Sequence, residues 1–261
     1  MNKKLPISCY IRTFNEESTI EKVVLSVIGF CSEVIVVDSQ STDRTALVAK
    51  SLGARVIEQE WLGNGCQKRV GEQIAETDWL LDLDADEVVS TRLKNEIFKA
   101  FESGEERSID VFLLKLVTVT PNDQVWKNSC LAWRQKLYRK SIYRIPDHKA
   151  WDQFKVLDSS KAKKLKGALY HYSFRNFEHL LNKMNRVSSV RASEKEMKSL
   201  PILCIRILFG FPFYWYKKFV YQKMFMTGMY GFISSILMAA QRWLTDIKMF
   251  ENYTSKNHKS S

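Results

Sequence analysis

Trp79-Leu80-Leu81-Asp82-Leu83-Asp84-Ala85-Asp86-Glu87 decides how this chain is read. An apolar segment closes on aspartates at alternate positions, 82, 84 and 86, with Glu87 behind them. Extended residues two apart point the same way, so Asp84 and Asp86 are expected to present carboxylates to one side, with only the small Ala85 between them. Hard oxygen ligands held like this suit Mg²⁺ or Mn²⁺ carrying a phosphorylated substrate. A lone D-x-D is more often an acidic turn after a buried strand. The segments upstream of it change that balance.

Outward from this run, apolar strands alternate with helices. Residues 7–12 read as a strand. Ser18-Thr19-Ile20-Glu21 has the form of a capping box, opening a helix with Ile20, Val23, Val24, Val27 and Ile28 at helical spacing and Gly29 at its end. Residues 33–38 are a buried strand, 43–52 a helix, 55–58 a short strand, 66–76 a helix, 79–83 the next strand, and 91–101 a helix. Such alternation, with strands apolar throughout, predicts an α/β fold: a mostly parallel sheet covered by helices on both faces. Ligands in such sheets bind beyond the strand C-termini. Three polar clusters fall there: Arg12-Thr13-Phe14-Asn15-Glu16, Asp38-Ser39-Gln40-Ser41-Thr42-Asp43, and Asp84-Ala85-Asp86. Three strand ends carrying acidic and hydroxyl groups outweigh any one of them.

Beyond residue 104 the pattern changes. Strands are expected at 109–119, 133–139 and 165–174, then a helix from about Asn176 with Phe177, Leu180, Leu181, Met184 and Val187 on one stripe. The organisation expected is a main domain over 1–175, in two halves at 1–104 and 105–175. A helical region rich in basic and aromatic residues follows at 176–253, and a frayed polar tail at 254–261.

The chain has 261 residues and a net charge of +11. Residues 161–261 carry 18 basic against 5 acidic side chains, a balance of +13, and the remainder is at −2. An excess confined to one end points to a polyanionic partner, an anionic membrane face or nucleic acid. The first residues lack the apolar region of a secretory signal. The five cysteines (9, 31, 66, 130 and 204) are odd in number and form no C-x-x-C, which reads as reduced thiols in a cytoplasmic protein.

No G-x-G-x-x-G, G-x-x-x-x-G-K-S/T or G-x-S-x-G is present, which disfavours dinucleotide-binding, P-loop and α/β-hydrolase chemistry. The site is built instead from carboxylates. An ionised carboxylate only accepts hydrogen bonds, so Asp38 suits the N–H and O–H groups of a base or ribose. Asp86 with Asp84 suits a divalent ion on a diphosphate, and Lys68 adds a cation near base or phosphate.

The order Arg12-Thr-Phe-Asn-Glu-Glu, then Val-Val-Asp38-Ser-x-Ser-x-Asp43, then Leu-Asp84-Ala-Asp86-Glu resembles glycosyltransferase family 2, with its GT-A fold. It is most similar to the branch that adds glucose to the inner core of lipopolysaccharide. Gly63-Asn-Gly-Cys-Gln67-Lys68, Leu165-Lys-Gly-Ala-Leu-Tyr-His171-Tyr and Lys183-Met-Asn-Arg186 carry that likeness. The resemblance implies a first nucleotide loop of Arg12, Phe14, Asn15 and Glu16, a uridine-holding Asp38, and a metal pair of Asp84 and Asp86 with Asp86 the direct ligand. It implies inversion at the anomeric carbon, so one carboxylate must deprotonate the acceptor hydroxyl. The branch carries a His-Glu pair after a proline. This chain has Pro146-Asp-His-Lys-Ala-Trp151-Asp152, and Trp151-Asp152 stands at that place. Asp152 is therefore the expected base and Asp147 the alternative. His171, between two tyrosines, reads as an orienting or core residue rather than a ligand.

At the C-terminal end, residues 202–216 and 224–240 are apolar but interrupted. Neither gives the ~20 clean residues of a spanning helix. Flanked by Lys217, Lys218, Lys223, Arg242 and Lys248, they suit helices lying in a membrane interface. Packing on the catalytic domain or on another copy, as a homo-oligomer, is the competing reading. The activity expected is hexose transfer, glucose from a UDP-sugar, to a lipid-linked saccharide such as a core heptose. The enzyme would sit peripherally on the inner face of the bacterial inner membrane, with nucleic acid disfavoured as a partner. Transfer to another cell-surface polysaccharide, a nucleotidyltransferase, a nucleic-acid-binding protein and an inactive scaffold are the rivals. A nucleotidyltransferase would carry a glycine-rich first loop, and this one has no glycine.

Overall fold

The apolar runs become strands of one mixed sheet in the computed structural model, which describes residues 4–194 and 196–258. The strands are β1 (Leu5–Thr13), β2 (Cys31–Asp38), β3 (Arg55–Glu58), β4 (Trp79–Asp84), β5 (Glu87–Val89), β6 (Val111–Val119), β7 (Val125–Arg139) and β8 (Ala162–His171). Their order is β3-β2-β1-β4-β7-β6-β8-β5. The first four run parallel. β7 pairs antiparallel with β4, β8 parallel with β6, and β5 antiparallel with β8. Register sets the three polar clusters level: Thr13 pairs with Asp38 on one side of β1, and Arg12 with Asp84 on the other.

Alternation along the strands divides the core. Cys9 and Ile11, Val34 and Val36, and Trp79, Leu81 and Leu83 face one layer. Tyr10, Ile35, Val37, Leu80 and Tyr138 face the other. Helices α1 (Glu17–Ile28), α2 (Thr45–Ser51), α3 (Asn64–Ile74) and α4 (Thr91–Glu102) connect the strands. α4 buries Leu93, Ile97 and Ala100 and is capped by Ser90, whose hydroxyl accepts the Leu93 N–H.

The capping box expected at Ser18 is not what starts α1. The helix begins at Glu17, with Glu16 at its N-cap and no side-chain cap of its own. Its first N–H donates instead to Asp43 of the β2–α2 loop, 3.2 Å away, so the cap comes from another segment. A carboxylate there also meets the positive end of the helix dipole.

The described chain forms two compact units. One takes residues up to Val119 with Cys130–Ser173, and the other Thr120–Ser129 with the residues from Phe174 onward. The second is helical: α5 (Phe177–Glu194), α6 (Leu200–Tyr216) and α7 (Gly228–His258), with α5 and α6 both packed on α7. Two small apolar clusters hold it, Phe174, Leu180 and Met184 in one and Ala192, Leu203 and Met249 in the other.

α7 departs from expectation. It continues past Ala240 through Arg242 to His258, so residues 254–258 of the expected frayed tail are helical, and 259–261 lie outside the described residues. The segment Met224–Ser255, a 3-10 turn followed by α7, is long and apolar enough, by length and composition, to cross a membrane, which the interrupted sequence did not suggest. The interruption is absorbed because Asp246 and Lys248 find partners on α5, α6 and the segment between them. Cys9, Cys31, Cys66 and Cys204 are free thiols. Met1–Lys3, part of the segment read for a signal, and the Cys130 side chain fall outside the described residues.

Candidate active site

The site begins with strand parity. Asp82 and Asp84 share the face of β4 that bears Leu80, and Lys136 shares the face of β7 that bears Tyr138. α3 covers this face. Its inner residues are polar, Gln67, Lys68 and Glu72, because the strand ends beneath it are charged.

Lys68 is fully buried. Its ammonium lies 2.9 Å from Asp82, 3.1 Å from Asp152 and 3.5 Å from Asp84. It ties three carboxylates together from inside. Arg12 reaches the same group from β1, with Nε 2.9 Å from Asp84 and Nη2 3.4 Å from Asp152. Its Nη1 donates to Asn64 Oδ1, and its guanidinium stands 5.9 Å from the Trp61 ring centre. Lys136 completes the cluster, 2.7 Å from Glu87, 3.5 Å from Asp84 and 3.6 Å from Asp82.

Three cations thus face four carboxylates: Asp82, Asp84, Glu87 and Asp152. Burial alone would raise the Asp84 carboxyl, but Arg12, Lys136 and Lys68 outweigh it and hold the group well below the usual range. Burial likewise opposes ionisation of Asp152, and Lys68 and Arg12 reverse it, so this carboxyl is also lowered. Glu87 goes the other way. Its burial, with Asp84 adding to it, outweighs Lys136 and raises it. Burial would strip the proton from Lys136, but Asp82, Asp84 and Glu87 hold it there.

Asp152 reaches this cluster because of two glycines. The first N–H groups of α3 donate to a loop rather than to side chains: Asn64 N–H to the Lys149 carbonyl at 2.7 Å, and Gly65 N–H to the His148 carbonyl at 2.9 Å. Such an approach leaves no room for Cβ. One built on Gly65 would lie 2.1 Å from the Pro146 oxygen and 2.4 Å from the Trp151 oxygen. Gly63, with φ of +117°, turns the chain into the helix against Lys149. His148 Nδ1 accepts the Ala150 and Trp151 N–H groups and shapes the turn before Asp152. Asp147 does not join the cluster. It pairs with Cys66, pushing that thiol up by accepting its hydrogen bond.

The first and second loops are laced together. Asn15, at φ of +52°, donates its N–H to Ser41 Oγ and accepts the Thr42 N–H on Oδ1, while the Glu16 N–H donates to Thr45 Oγ1. Asp38 is buried and accepts from both the Ser41 N–H (2.8 Å) and hydroxyl (2.5 Å). A carboxylate has about four acceptor sites, so capacity remains for a ligand. Phe14, Trp61 and Trp151 are each more than half exposed at these loops.

Asp84 and Asp86 lie on the two sides of a strand end. β4 ends at Asp84, and Ala85-Asp86 is a turn, so strand alternation stops one residue short. Asp84 faces the cations, while Asp86 Oδ2 lies 3.2 Å from His171 Nε2 on β8. The Tyr172 N–H donates to the Asp86 carbonyl and fixes the turn. Carboxylate oxygen beside imidazole nitrogen is a donor set that takes Mn²⁺ readily, and Mg²⁺ with more of its shell from water and phosphate. His171 and Lys136 are the residues that motif reading missed in these roles. The Leu165–Tyr172 motif was the signal for His171, though it did not mark it as the neighbour of Asp86, and nothing local marked Lys136.

Residues 8–163 match the family described as Glycosyl transferase family 2. A glycosyltransferase of Rickettsia bellii is 34% identical over 94% of this chain and 86% of its own length. The lipopolysaccharide core biosynthesis glycosyltransferase LpsC of Rhizobium meliloti is 22% identical over 98% of this chain and 96% of its own. Among solved structures, S. aureus TarS (residues 1–349) aligns with a TM-score of 0.46 at 18% identity, over 97% of this chain and 92% of that one. A family match across more than half of the chain, with a full-length relative at this identity, settles the assignment: the protein belongs to glycosyltransferase family 2, with an α/β fold of the GT-A type.

Proposed function

We propose that the enzyme is an inverting, metal-dependent hexosyltransferase, moving glucose from a UDP-sugar to a lipid-linked saccharide such as a lipopolysaccharide core heptose. It would work as a peripheral enzyme on the cytoplasmic face of the inner membrane. The observation that carries this reading is the convergence of Arg12 and the buried Lys68, from separate segments, on Asp84 and Asp152. The full-length likeness to LpsC supports the lipopolysaccharide acceptor.

Asp152 is the base in this reading. It is a partly exposed carboxylate held ionised by Lys68 and Arg12, and in that state it accepts a proton from an acceptor hydroxyl. Asp147, engaged with Cys66, is the weaker alternative. Asp38 and the loop of Arg12, Phe14, Asn15 and Glu16 hold the nucleotide. Asp86, with His171 beside it, would hold a divalent ion, and Asp84 links that pair to the buried cations. The ion would supply Lewis-acid charge for the departing nucleoside diphosphate. The lysines keep the carboxylates in position.

Binding and hydrolysis of UDP-, GDP- and dTDP-sugars with Mn²⁺, Mg²⁺ or EDTA test the donor and the metal. The expected result is metal-dependent binding of one UDP-sugar. Asp152→Asn should lower kcat by about 10²–10⁴-fold with donor binding retained, the range for a lost general base. Asp86→Ala should weaken metal-dependent donor binding itself. A folded Asp86→Ala protein with near-wild-type transfer would remove the metal role.

A further inference from the structure

The helical unit contains a charged constellation that the transfer reaction does not use. Asp246 on α7 is 1% exposed and saturated with donors. Its Oδ1 accepts from Lys198 Nζ (2.6 Å) and Arg206 Nε (3.1 Å). Its Oδ2 accepts from the Tyr214 hydroxyl (3.0 Å) and pairs with Arg206 Nη2 (3.0 Å). The Tyr214 ring has the Arg206 and Arg242 guanidinium groups each 5.5 Å from its centre.

A cavity of about 100 Å³ opens here, lined by Arg191, Lys198, Arg206, Arg242, Thr245 and Asp246. One water needs about 10–15 Å³ on this measure, so the space takes a group of several heavy atoms. Four cations line it against one carboxylate, and that carboxylate is already spent on Lys198 and Arg206. Among the described residues, no carboxylate forms an ion pair with Arg191 or Arg242. Their like charges press on one another. Arg191 is lowered by its burial and by Arg242, and Lys218 by its burial and by Lys217, Arg242 and Arg191.

Helices α5, α6 and α7 each contribute an arginine to this one cavity. Like charges converging without an anion weaken a fold unless something completes them. Guanidinium forks match phosphate oxygens two at a time, and a dianion would offset two of the three surplus positive charges of the lining. We propose that this cavity binds a phosphate group, carried by a lipid headgroup or by a soluble phosphorylated ligand. The inference stands apart from the donor and base assignments.

Inorganic phosphate titrated into the purified full chain, followed by calorimetry and thermal unfolding at matched ionic strength with chloride as reference, tests it. Phosphate should raise Tm by several degrees beyond chloride. Arg191→Gln and Arg242→Gln should each weaken phosphate binding about tenfold or more, the value of a charge-assisted contact. Their ligand-free Tm should be unchanged or higher, because repulsion is relieved. Arg191→Gln keeps the test valid if Arg242→Gln, which also loses a contact with Tyr214, is unstable. Equal shifts by phosphate and chloride, or variants that keep wild-type phosphate affinity, would overturn the proposal. Vesicles of phosphatidylcholine with phosphatidic acid separate the sources, with the exposed Lys217→Gln as the reference for general charge. Vesicle binding that falls with phosphate binding in the arginine variants identifies a headgroup. Vesicle binding equal to that of Lys217→Gln identifies a soluble ligand.

Discussion

Lys136 shows what a single residue does in this site. It is the cation shared by Asp82, Asp84 and Glu87, and all but Asp84 are almost fully buried. Removing one partner from a buried ionic group leaves uncompensated charge and costs about 3–5 kcal/mol. Lys136→Met should lose about that much in urea unfolding at neutral pH. The loss should shrink as pH is lowered. Glu87 is already raised by burial and would rise further without Lys136. A carboxyl raised in the folded state binds more protons there than in the unfolded chain, where it titrates near 4.3, so stability falls as pH rises through the folded value. Adding Glu87→Gln should recover part of the loss, since one buried charge goes with its partner. A loss independent of pH would show that Lys136 acts by packing. The sequence gives no local sign of this role. Lys136 lies in a strand far from the aspartates, and only pairing of β7 with β4 brings them together. His171 was visible as a residue but not as the neighbour of Asp86, for the same reason.

At the scale of elements, the strands and helices of the first hundred residues were legible because apolar periodicity is strong there. The polar clusters were placed correctly at strand ends for that reason. Local rules misled where a turn or a distant segment intervened. Ser18 was read as a cap, but Asp43 supplies it. Asp84 and Asp86 were read as one extended face, but the strand ends between them. The seating of α3 on the Pro146–Asp152 loop was hidden for a related reason, since the two segments are about eighty residues apart. Gly63 and Gly65 were noticed for their resemblance, and their physical role is this close approach. Gly65→Ala should therefore move the loop. Overpacking costs about 1–3 kcal/mol. A displacement of about 1 Å in a catalytic group can cost 10²-fold in rate. The variant should remain folded, with kcat for transfer lowered about 10²-fold and donor affinity changed far less. A variant with wild-type kcat would detach Asp152 from the reaction.

At the scale of the molecule, the charge asymmetry was readable as a balance of +13 in the last hundred residues, though what carried it was not. The helical unit pairs two features. α6 turns Leu203, Gly210 and Tyr214 inward and leaves Ile202, Ile205, Leu208, Phe209, Phe213 and Tyr216 exposed. Lys217, Lys218 and Lys223 follow directly in the turn that leads to α7. An isolated soluble unit seldom exposes so continuous an apolar face. Were this face to meet a bilayer, the basic residues beside it would favour an anionic one, each adding about 1 kcal/mol near such a surface. α7 is long enough to span. Its buried Ser234, Ser235, Thr245 and Asp246 fit a helix packed among α5 and α6 better than one surrounded by lipid. The enzyme is therefore expected to lie on the membrane rather than cross it. Full-length protein should sediment with vesicles containing phosphatidylglycerol and much less with pure phosphatidylcholine. Salt of about 1 M, where the screening length is about 3 Å, should weaken the interaction without abolishing it, because the apolar part is not screened. Phe209→Ser with Phe213→Ser should weaken it about tenfold or more, since burying a phenylalanine is worth about 1.5–3 kcal/mol. The same double variant should keep its activity on a water-soluble acceptor, where no surface is needed. Carbonate extraction should release the wild-type protein from membranes. Retention in the pellet would instead mean that α7 crosses the bilayer.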